Sequence, residues 1–565
     1  MGSSSPPAAA QQQQQPFDVK KIAIIGAGPS GLAVAKYLLA QDGAFPRVDL
    51  FEQQAEVGGV WNYSPVPRPP ESVPVPQTDA HPEAMDPPVY EEETGNGNGS
   101  GSGEGKGKGE GKERVPLFPS PMYEDLHTNI PHTLMQYADL PFPDTCEIFP
   151  SRADVQAYLV DYARDVRHLI RFSTQVTSVA VRTDSFRPRG REQWDVRATD
   201  LLTGRRSRET YDAVVVASGH YATPYVPDSA AGIRAFHAAH PGVVSHSKTY
   251  RDPGPFRGKK VVVVGTGASG LDIAAQIRRV CKTPLVLSAQ SAAPRETLEH
   301  ISGGDGGSVV QVGQIKRFLV GERGVEFYPL DEDEDDTNSS RVEKKEEASK
   351  GEGGGEGGKR KEKATRIETD VDAILFCTGY LFTFPFLPSI PLVTNGRKVH
   401  GLAKHFLHIG HPTLAFPGLP IKVIPFPLAQ SQGAVLARLW SNTLPLPPLP
   451  VLEAWSREEG EKGVSDEKYH VFPKGGDGAY INEVYEWLER ETTEDGRKKG
   501  KEPPHWDAEM LWQRGIYIEA KMQFEKTGRK AKTLEELGFR YVPEEVEGKK
   551  AEEVEGKDPH LDVAG

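Results

Sequence analysis

Glycines at 26, 28 and 31 in KIAIIGAGPSGL, and at 265, 267 and 270 in VVVVGTGASGL, have the spacing of residues that cradle a pyrophosphate. In G-x-G-x-x-G the first glycine allows a tight turn, the second lets phosphate oxygens approach the backbone, and the third lets the next helix pack closely on the strand. The helix N-terminus adds unpaired N–H donors and a partial positive charge. Three spaced glycines mean little by themselves in a chain with 58 of them. Their setting gives them weight, because each set follows a β-branched apolar run and opens a helix-period segment. The chain is therefore expected to hold two dinucleotides.

The two sites differ where a ribose would be read. After Gly31, LAVAKYLLAQ leads to VDLFE, and Glu52 at its end can accept hydrogen bonds from ribose hydroxyls. After Gly270, LDIAAQIRRV leads to PLVLSAQS, where the comparable position is read as Gln290, between Ser288 and Ser291. No carboxylate there would repel a 2′-phosphate, which favours NADP over NAD. Arg278, Arg279 and Arg295 are candidates to pair with that phosphate, and each also reads as a solvated helix-surface charge.

Composition narrows the remaining classes. The net charge of −13 and the lack of a basic stripe with interleaved aromatics speak against nucleic acid. KRKEK near Arg360 and KTGRKAK near Arg529 read as solvated charge runs. Cys146, Cys281 and Cys377 form no C-x-x-C, which argues against a dithiol redox pair and a cysteine zinc site, so no metal is expected. The same usage fits a reducing compartment. The most apolar region, FLHIGHPTLAFPGLPIKVIPFPLA, is interrupted by prolines and cannot span a bilayer as a helix. MGSSSPPAAAQQQQQP lacks the pattern of a secretory signal and, with Pro6 at the sixth position, that of myristoylation, so a soluble cytoplasmic protein is expected.

Composition also divides the chain. Residues 64–113 are Pro-rich and then glycine-alternating, 331–363 contain DEDEDD and Lys/Glu/Gly repeats, and the tail after 543 repeats EEVEGK. None has the apolar content to offset ordering, and all three are expected to be disordered. The ordered remainder divides into 18–239, 240–370 and 371–542, with flexible tails at 1–17 and 543–565. YDAVVVASG and VDAILFCTG resemble each other, as strands carrying the chain between two nucleotide domains would, or as core strands of two parallel sheets would.

Further motifs point beyond generic nucleotide binding: GAGPSGL, EVGGVWNY with Gly58, Gly59 and Trp61, LHTNIPHTLMQYADLPFPD, HPGVVSHSKTY running into FRGKKVVVVGTGASGLDIA, FCTGYLFTFPFL, and GLPIKVIPFPLAQSQGAVLARLW. Together they cover most of the ordered chain, and they resemble the class B flavin-containing monooxygenases, within them the fungal branch acting on thiols or N,N-dimethylaniline. The family's F-x-G-x-x-x-H-x-x-x-[YF] is met by Gly242, His246 and Tyr250, with His240 at the phenylalanine position. Tyr250 separates the chain from Baeyer–Villiger enzymes, which carry tryptophan there. His246 is read as a hydrogen-bonded structural residue of an interdomain segment and not as a general base.

The resemblance implies an α/β fold of two Rossmann-like dinucleotide-binding domains, with the NADPH domain (240–370) inserted into the FAD domain (18–239 and 371–542). It implies FAD and NADPH as cofactors, and dioxygen plus a small thiol, sulfide or amine as substrates. Oxygen transfer would use a flavin C4a-hydroperoxide, which the protein must keep protonated and dry. Gly26, Ala27, Gly28, Pro29, Ser30 and Gly31 would cradle the FAD pyrophosphate, and Glu52 would hold its ribose. Gly59, Val60, Trp61, Thr128 and Asn129 would border the flavin, Val176 would meet adenine through its backbone, and Gln432 would lie near the ring system. Gly265, Thr266, Gly267, Ala268, Ser269 and Gly270 would meet the NADP pyrophosphate, with Gln290 beside the 2′-phosphate. Asn129 would be the catalytic residue, because its amide donates and accepts without titrating, although it also reads as a turn asparagine before Ile130-Pro131. Two positions depart from the family pattern: Gln290 replaces a frequent arginine, and Gln430 a frequent acid. A homodimer is compatible with the sequence. The rival readings are a Baeyer–Villiger enzyme acting on ketones and a non-catalytic flavoprotein that binds partners through its charged insertions.

Overall fold

The computed structural model describes residues 17–69, 72–83, 85–90, 115–182, 187–330, 365–461 and 465–543. β1 (Lys21–Ile25), α1 (Pro29–Leu39) and β2 (Arg47–Phe51) form a βαβ unit. Alternate residues of β1 enter opposite cores, Ile22 and Ile24 on one side and Ala23 and Ile25 on the other. This period-two division of an unbroken apolar run is what a parallel strand covered on both faces requires. A short ribbon of β3 (Val89–Tyr90) and β4 (Pro116–Leu117) follows, then α2 (His132–Met135) and α3 (Arg152–Tyr162). β5 (Ile170–Arg171) extends the sheet beyond β2. The antiparallel meander β6 (Thr174–Val181), β7 (Trp194–Asp200) and β8 (Arg206–Tyr211) leads into β9 (Ala213–Val216), which pairs parallel with β1.

The chain then crosses through β10 (Thr223–Pro224) into a second domain. Its elements are α4 (Ile233–Ala239), β11 (Val244–His246), β12 (Lys260–Val264), α5 (Ala268–Arg278), β13 (Lys282–Ser288), α6 (Arg295–Ser302) and β14 (Val309–Val312). A meander of β15 (Ile315–Leu319), β16 (Gly324–Phe327) and β17 (Arg366–Glu368) precedes β18 (Ala373–Phe376). The sheet order is β11-β18-β12-β13-β14. The return strand β19 (Tyr380–Leu381) pairs antiparallel with β10, so both crossings between the domains run side by side.

β20 (Leu402–Ala403), β21 (Leu407–His408) and β22 (Leu414–Ala415) complete the first sheet, ordered β20-β21-β22-β9-β1-β2-β5. α7 (Pro425–Trp440) packs against α1 at Gly433, where a Cβ would stand 3.2 Å from Val34 Cα. α8 (Leu449–Glu461), α9 (Gly476–Glu491), α10 (Glu494–Lys499) and α11 (Ala508–Lys526) follow. The fold is two Rossmann-like domains, the second inserted into the first.

Several expected boundaries move. β18 lies between β11 and β12 in the second sheet, so a domain edge at 370/371 would remove a central strand. Val226, Ile233 and Phe236, placed before the edge at 240, are buried in the second domain's core. The interruption expected over 64–113 is too long: Val73 is buried in that same core, and Gln77 and Val226 exchange two main-chain hydrogen bonds of 2.9 Å. Asp86 anchors this proline-rich strap through Lys248 Nζ at 3.1 Å and Arg68 Nη2 at 3.4 Å. Phe17, assigned to a tail, is buried and hydrogen-bonded to the Asn442 side chain. The remaining expectations of disorder, over 91–113, 331–363, 1–16 and 544–565, lie outside the described residues.

Candidate functional site

Both glycine turns form as their spacing requires. Gly26 and Gly265 have φ of 107° and 111°, and a Cβ on either would collide with a main-chain oxygen, Ala217 O or Cys377 O. These two contacts explain the likeness of the segments around β9 and β18, because each strand ends against the glycine turn of its own domain. A Cβ on Gly31 would come within 1.9 Å of Gly26 O, and one on Gly270 within 2.1 Å of Gly265 O. Only glycine lets each helix lie this close to its strand. The middle glycines are different. A Cβ on Gly267 would meet no atom within 4 Å, and one on Gly28 would meet only the Gly59 backbone, at 3.4 Å. Each middle glycine therefore fronts open space at a helix N-terminus, the geometry that suits a pyrophosphate.

The first cradle has further walls. Gly59 follows Gly58 in the 3₁₀ turn Gly59–Trp61, with Val60 and Trp61 half-buried beside it. Gln54 Nε2 donates to Gly59 O at 3.1 Å, and Gln156 Nε2 on α3 donates to Val57 O at 2.8 Å. Gln156 Oε1, buried against Gly58, is an acceptor with no donor among the described residues. Tyr137 OH donates to Pro29 O at 2.8 Å, and a Cβ on Gly418 would touch Ser30 Oγ. Gln54 and Gln156 lie outside every motif quoted above, and Tyr137 and Gly418 lie inside two of them without any spacing that marks them as cradle residues.

Glu52 lies at the end of β2, where its Oε2 accepts from Ala27 N–H at 2.8 Å and its Oε1 from Gln54 N–H at 2.9 Å. Burial pushes its carboxyl up to about 7, against the opposing pull of these amides. A carboxyl whose pKa rises on folding binds more protons folded than unfolded between the two values, so stability falls as pH rises through that window. FAD-free protein is therefore expected to lose stability from pH 4.5 to about 7, by at most about 3 kcal/mol, with most of that slope absent in Glu52→Gln; thermal melts across this range check it. Val176 is buried in β6, two residues beyond Thr174, whose N–H donates to Glu52 O at 2.8 Å.

The strand register corrects the matching position of the second site. Gly26 N–H donates to Phe51 O at 2.8 Å, and Gly265 N–H to Ser288 O at 2.9 Å, so Ala289 and not Gln290 corresponds to Glu52. Ala289 is buried, whereas Gln290 lies exposed one residue further on. Arg278 and Arg279 stand at the C-terminal end of α5, one helix length of about 16 Å from its cradle, and cannot reach a phosphate there. Arg278 instead approaches Asp305 at 3.7 Å, while Arg295 is exposed and paired with Glu299 at 2.8 Å.

Thr128 and Asn129 precede α2. Thr128 is buried, its N–H donating to Pro150 O at 2.9 Å and its Oγ1 to Ile130 O at 2.8 Å. The Asn129 side chain is exposed and has no hydrogen bond to any described residue. Its segment is tied to the first cradle on both sides, through the His127–Ser151 bridge to α3 and through Tyr137 after α2. The Gln432 amide is turned inward, accepting from Gly418 N–H at 2.8 Å and donating to Tyr480 OH at 3.3 Å, so its contact with the cleft runs through Gly418. Gln430 donates to Asp139 Oδ1 at 2.9 Å and accepts from Ala138 N–H at 3.0 Å. An acid at 430 would repel Asp139, which accounts for the neutral residue.

The identifying segment is structural. His246 Nδ1 accepts from Lys248 N–H at 3.0 Å and Nε2 faces Gly379 O at 3.1 Å, while burial pushes the ring down to about 3. It clamps the returning interdomain crossing. His240 Nε2 is bound to Val320 O at 2.8 Å, and Gly242 supplies a turn with φ of 80°. Tyr250 OH donates to Gln276 Oε1 on α5 at 2.9 Å. All three cysteines are free, and burial raises the Cys377 thiol to about 12. Among the described residues there is no metal-binding cluster, and no helix is long and apolar enough to cross a membrane.

Comparison with known proteins agrees with this geometry. Residues 112–294 match the family model described as flavin-binding monooxygenase-like, and 24–77 match an NAD(P)-binding Rossmann-like domain. The chain is 28% identical over 510 residues to the thiol-specific monooxygenase of Saccharomyces cerevisiae, covering 87% of this chain and 90% of that protein. It is 30% identical over 439 residues to the flavin-containing monooxygenase FMO GS-OX1 of Arabidopsis thaliana, covering 76% and 75%. Among solved structures, the S-allyl-L-cysteine S-oxygenase of Allium sativum shares the fold with a TM-score of 0.61 at 23% identity, covering 92% of this chain and 97% of that one.

Proposed function

Because the chain belongs to the flavin-containing monooxygenase family, and is an FAD- and NADPH-dependent enzyme, we propose that it places one atom of dioxygen on a soft nucleophilic sulfur or nitrogen. The second oxygen atom leaves as water, with NADPH and a proton consumed. The substrates are small thiols, sulfides or amines. The chemistry that FAD and NADPH supply when bound is two-electron reduction and the activation of dioxygen.

The residues of the chain perform the rest. The turns at Gly26–Gly31 and Gly265–Gly270 offer helix N-termini to the two pyrophosphates. Thr128, Asn129 and Trp61 would give the flavin side neutral neighbours, with Asn129 on a backbone tied to Pro150 and the start of α3. The observation that carries this reading is the pair of glycine turns at the N-termini of α1 and α5, whose middle glycines face space; the Asn129 amide, which does not titrate, would hold a hydrogen bond there without competing for the proton. Selectivity then follows from access and substrate nucleophilicity. Sulfur has added support from the yeast relative, named a thiol-specific monooxygenase.

Purified FAD-loaded enzyme supplied with NADPH and, in turn, a thiol, a sulfide, a tertiary amine and a cyclic ketone tests the proposal. S- or N-oxygenated product from at least one of the first three is expected, and a lactone as the sole product would replace the proposal with the Baeyer–Villiger reading. Preference for NADPH follows from Ala289. Ala289→Glu places a carboxylate where the other domain has Glu52, and is expected to raise the KM for NADPH about tenfold while improving use of NADH. Steady-state kinetics with both nucleotides check this.

A further inference from the structure

The turn after α11 reaches the segment that carries Asn129. Gly528 and Arg529 both adopt left-handed backbone, with φ of 84° and 59°, and Arg529 N–H donates to Phe524 O at 3.0 Å. Such a conformation is uncommon for arginine and turns its side chain back along the helix. Lys526, Lys530 and Lys532 are exposed, as a solvated charge run would be, but the Arg529 side chain is only 18% exposed. The reading of KTGRKAK as wholly solvated is thereby corrected.

Arg529 holds three partners. Its Nε pairs with Glu525, which Lys521 also holds at 2.8 Å. Its Nη1 lies 2.9 Å from Asp125 Oδ2 and 3.4 Å from His127 Nδ1. A guanidinium only donates, so His127 Nδ1 is the acceptor, and burial beside Arg529 favours the neutral ring. The His127 ring also lies against Phe524, with centroids 6.1 Å apart. Asp125 and His127 are four and two residues before Asn129. Helix α11 is independently seated by the core of Ile148, Phe149, Ala520, Phe524, Leu534 and Leu537. Arg529 is therefore not needed to dock the helix, and its side-chain contacts beyond Glu525 of α11 itself are with 125–127.

We propose that Arg529 is a positioning residue for Asn129, fixing the 125–129 segment through Asp125 and His127 so that the amide is held in the cleft. This rests on the role given to Asn129 above. It makes the C-terminal turn a determinant of how tightly NADPH oxidation is coupled to oxygen transfer.

The test uses full-length FAD-loaded enzyme with Arg529→Met, Arg529→Lys and Asp125→Asn, and Asn129→Ser as reference. The readouts are amide hydrogen exchange over 125–132 and over α11, the change in the flavin absorption spectrum on adding NADP, and the fraction of NADPH electrons recovered as hydrogen peroxide. Arg529→Met is expected to keep FAD and the protection of α11 while exchange at Thr128 rises about tenfold, the spectral change weakens and peroxide increases. Arg529→Lys should recover part of each effect, and Asp125→Asn should show a smaller change in the same direction. Unchanged exchange and peroxide in Arg529→Met, with Asn129→Ser uncoupled, would overturn the proposal; if Arg529→Met does not fold, the same result in Asp125→Asn does so. Should Asn129→Ser remain coupled, the role of Asn129 fails instead, and the exchange data alone decide whether Arg529 fixes the segment.

Discussion

Gly28→Val is expected to give a folded protein that is purified with most of its flavin lost. The Gly28 backbone has φ of −77° and ψ of −176°, a region open to valine, so the substitution brings no conformational strain. Its Cβ would stand 3.4 Å from Gly59 Cα and otherwise face the space left at the N-terminus of α1. The γ-methyls would fill that space and press on the Gly59 turn. Overpacking of about 3 kcal/mol, falling mostly on the bound state, lowers FAD affinity by on the order of a hundredfold. Gly31→Val provides the contrast, because its Cβ would lie 1.9 Å from Gly26 O and the domain itself should fail to form. Visible absorbance of the purified variants, read beside their circular dichroism, separates the two outcomes. Full flavin content in Gly28→Val would show that the first cradle has been assigned to the wrong ligand.

Asn129→Ser carries the second large effect. Serine is shorter and cannot place a donor and an acceptor where the amide has them. Loss of one preorganised donor at a reacting centre costs on the order of a hundredfold in the step it serves. FAD content and reduction by NADPH should be nearly unchanged, while most of the NADPH consumed should appear as hydrogen peroxide in place of oxygenated product. Peroxide and product measured in the same reaction decide this, and parental coupling would remove Asn129 from the mechanism.

How much was legible from sequence depended on whether function or packing fixed the residue. The glycine turns were, because their spacing has no substitute once a helix must lie against a strand, and the collisions at Gly31 and Gly270 show why. Glu52 was, because it ends a strand whose length follows from its apolar run. Ala289 was missed because the two domains differ in the length of chain between helix and strand, and only the pairing of Val264 with Ser288 fixes the register. The 64–90 strap was misjudged because proline-rich composition looks unfolded, whereas Val73 and Asp86 find partners supplied by distant parts of the chain. Arg529 was misjudged for the same reason: its surroundings in sequence are lysines, and its partners Asp125 and His127 lie some four hundred residues away. The edge at 370/371 failed because β18 follows the second domain's meander in sequence yet sits inside its sheet, between β11 and β12.

Reducing equivalents from NADPH and one atom of dioxygen are proposed to meet a sulfur or nitrogen nucleophile beside Asn129. Turnover under isotopically labelled dioxygen, with NADPH oxidation and product counted together, tests this most directly. For each NADPH consumed, one labelled oxygen atom is expected in the S-oxide or N-oxide of a sulfide or amine, and one disulfide from a thiol, whose sulfenic acid passes its labelled oxygen to water on condensing with a second thiol. NADPH oxidation that leaves sulfides and amines unlabelled and thiols unoxidised when peroxide is removed by catalase, with the label recovered only as peroxide or in a lactone, would contradict the proposal.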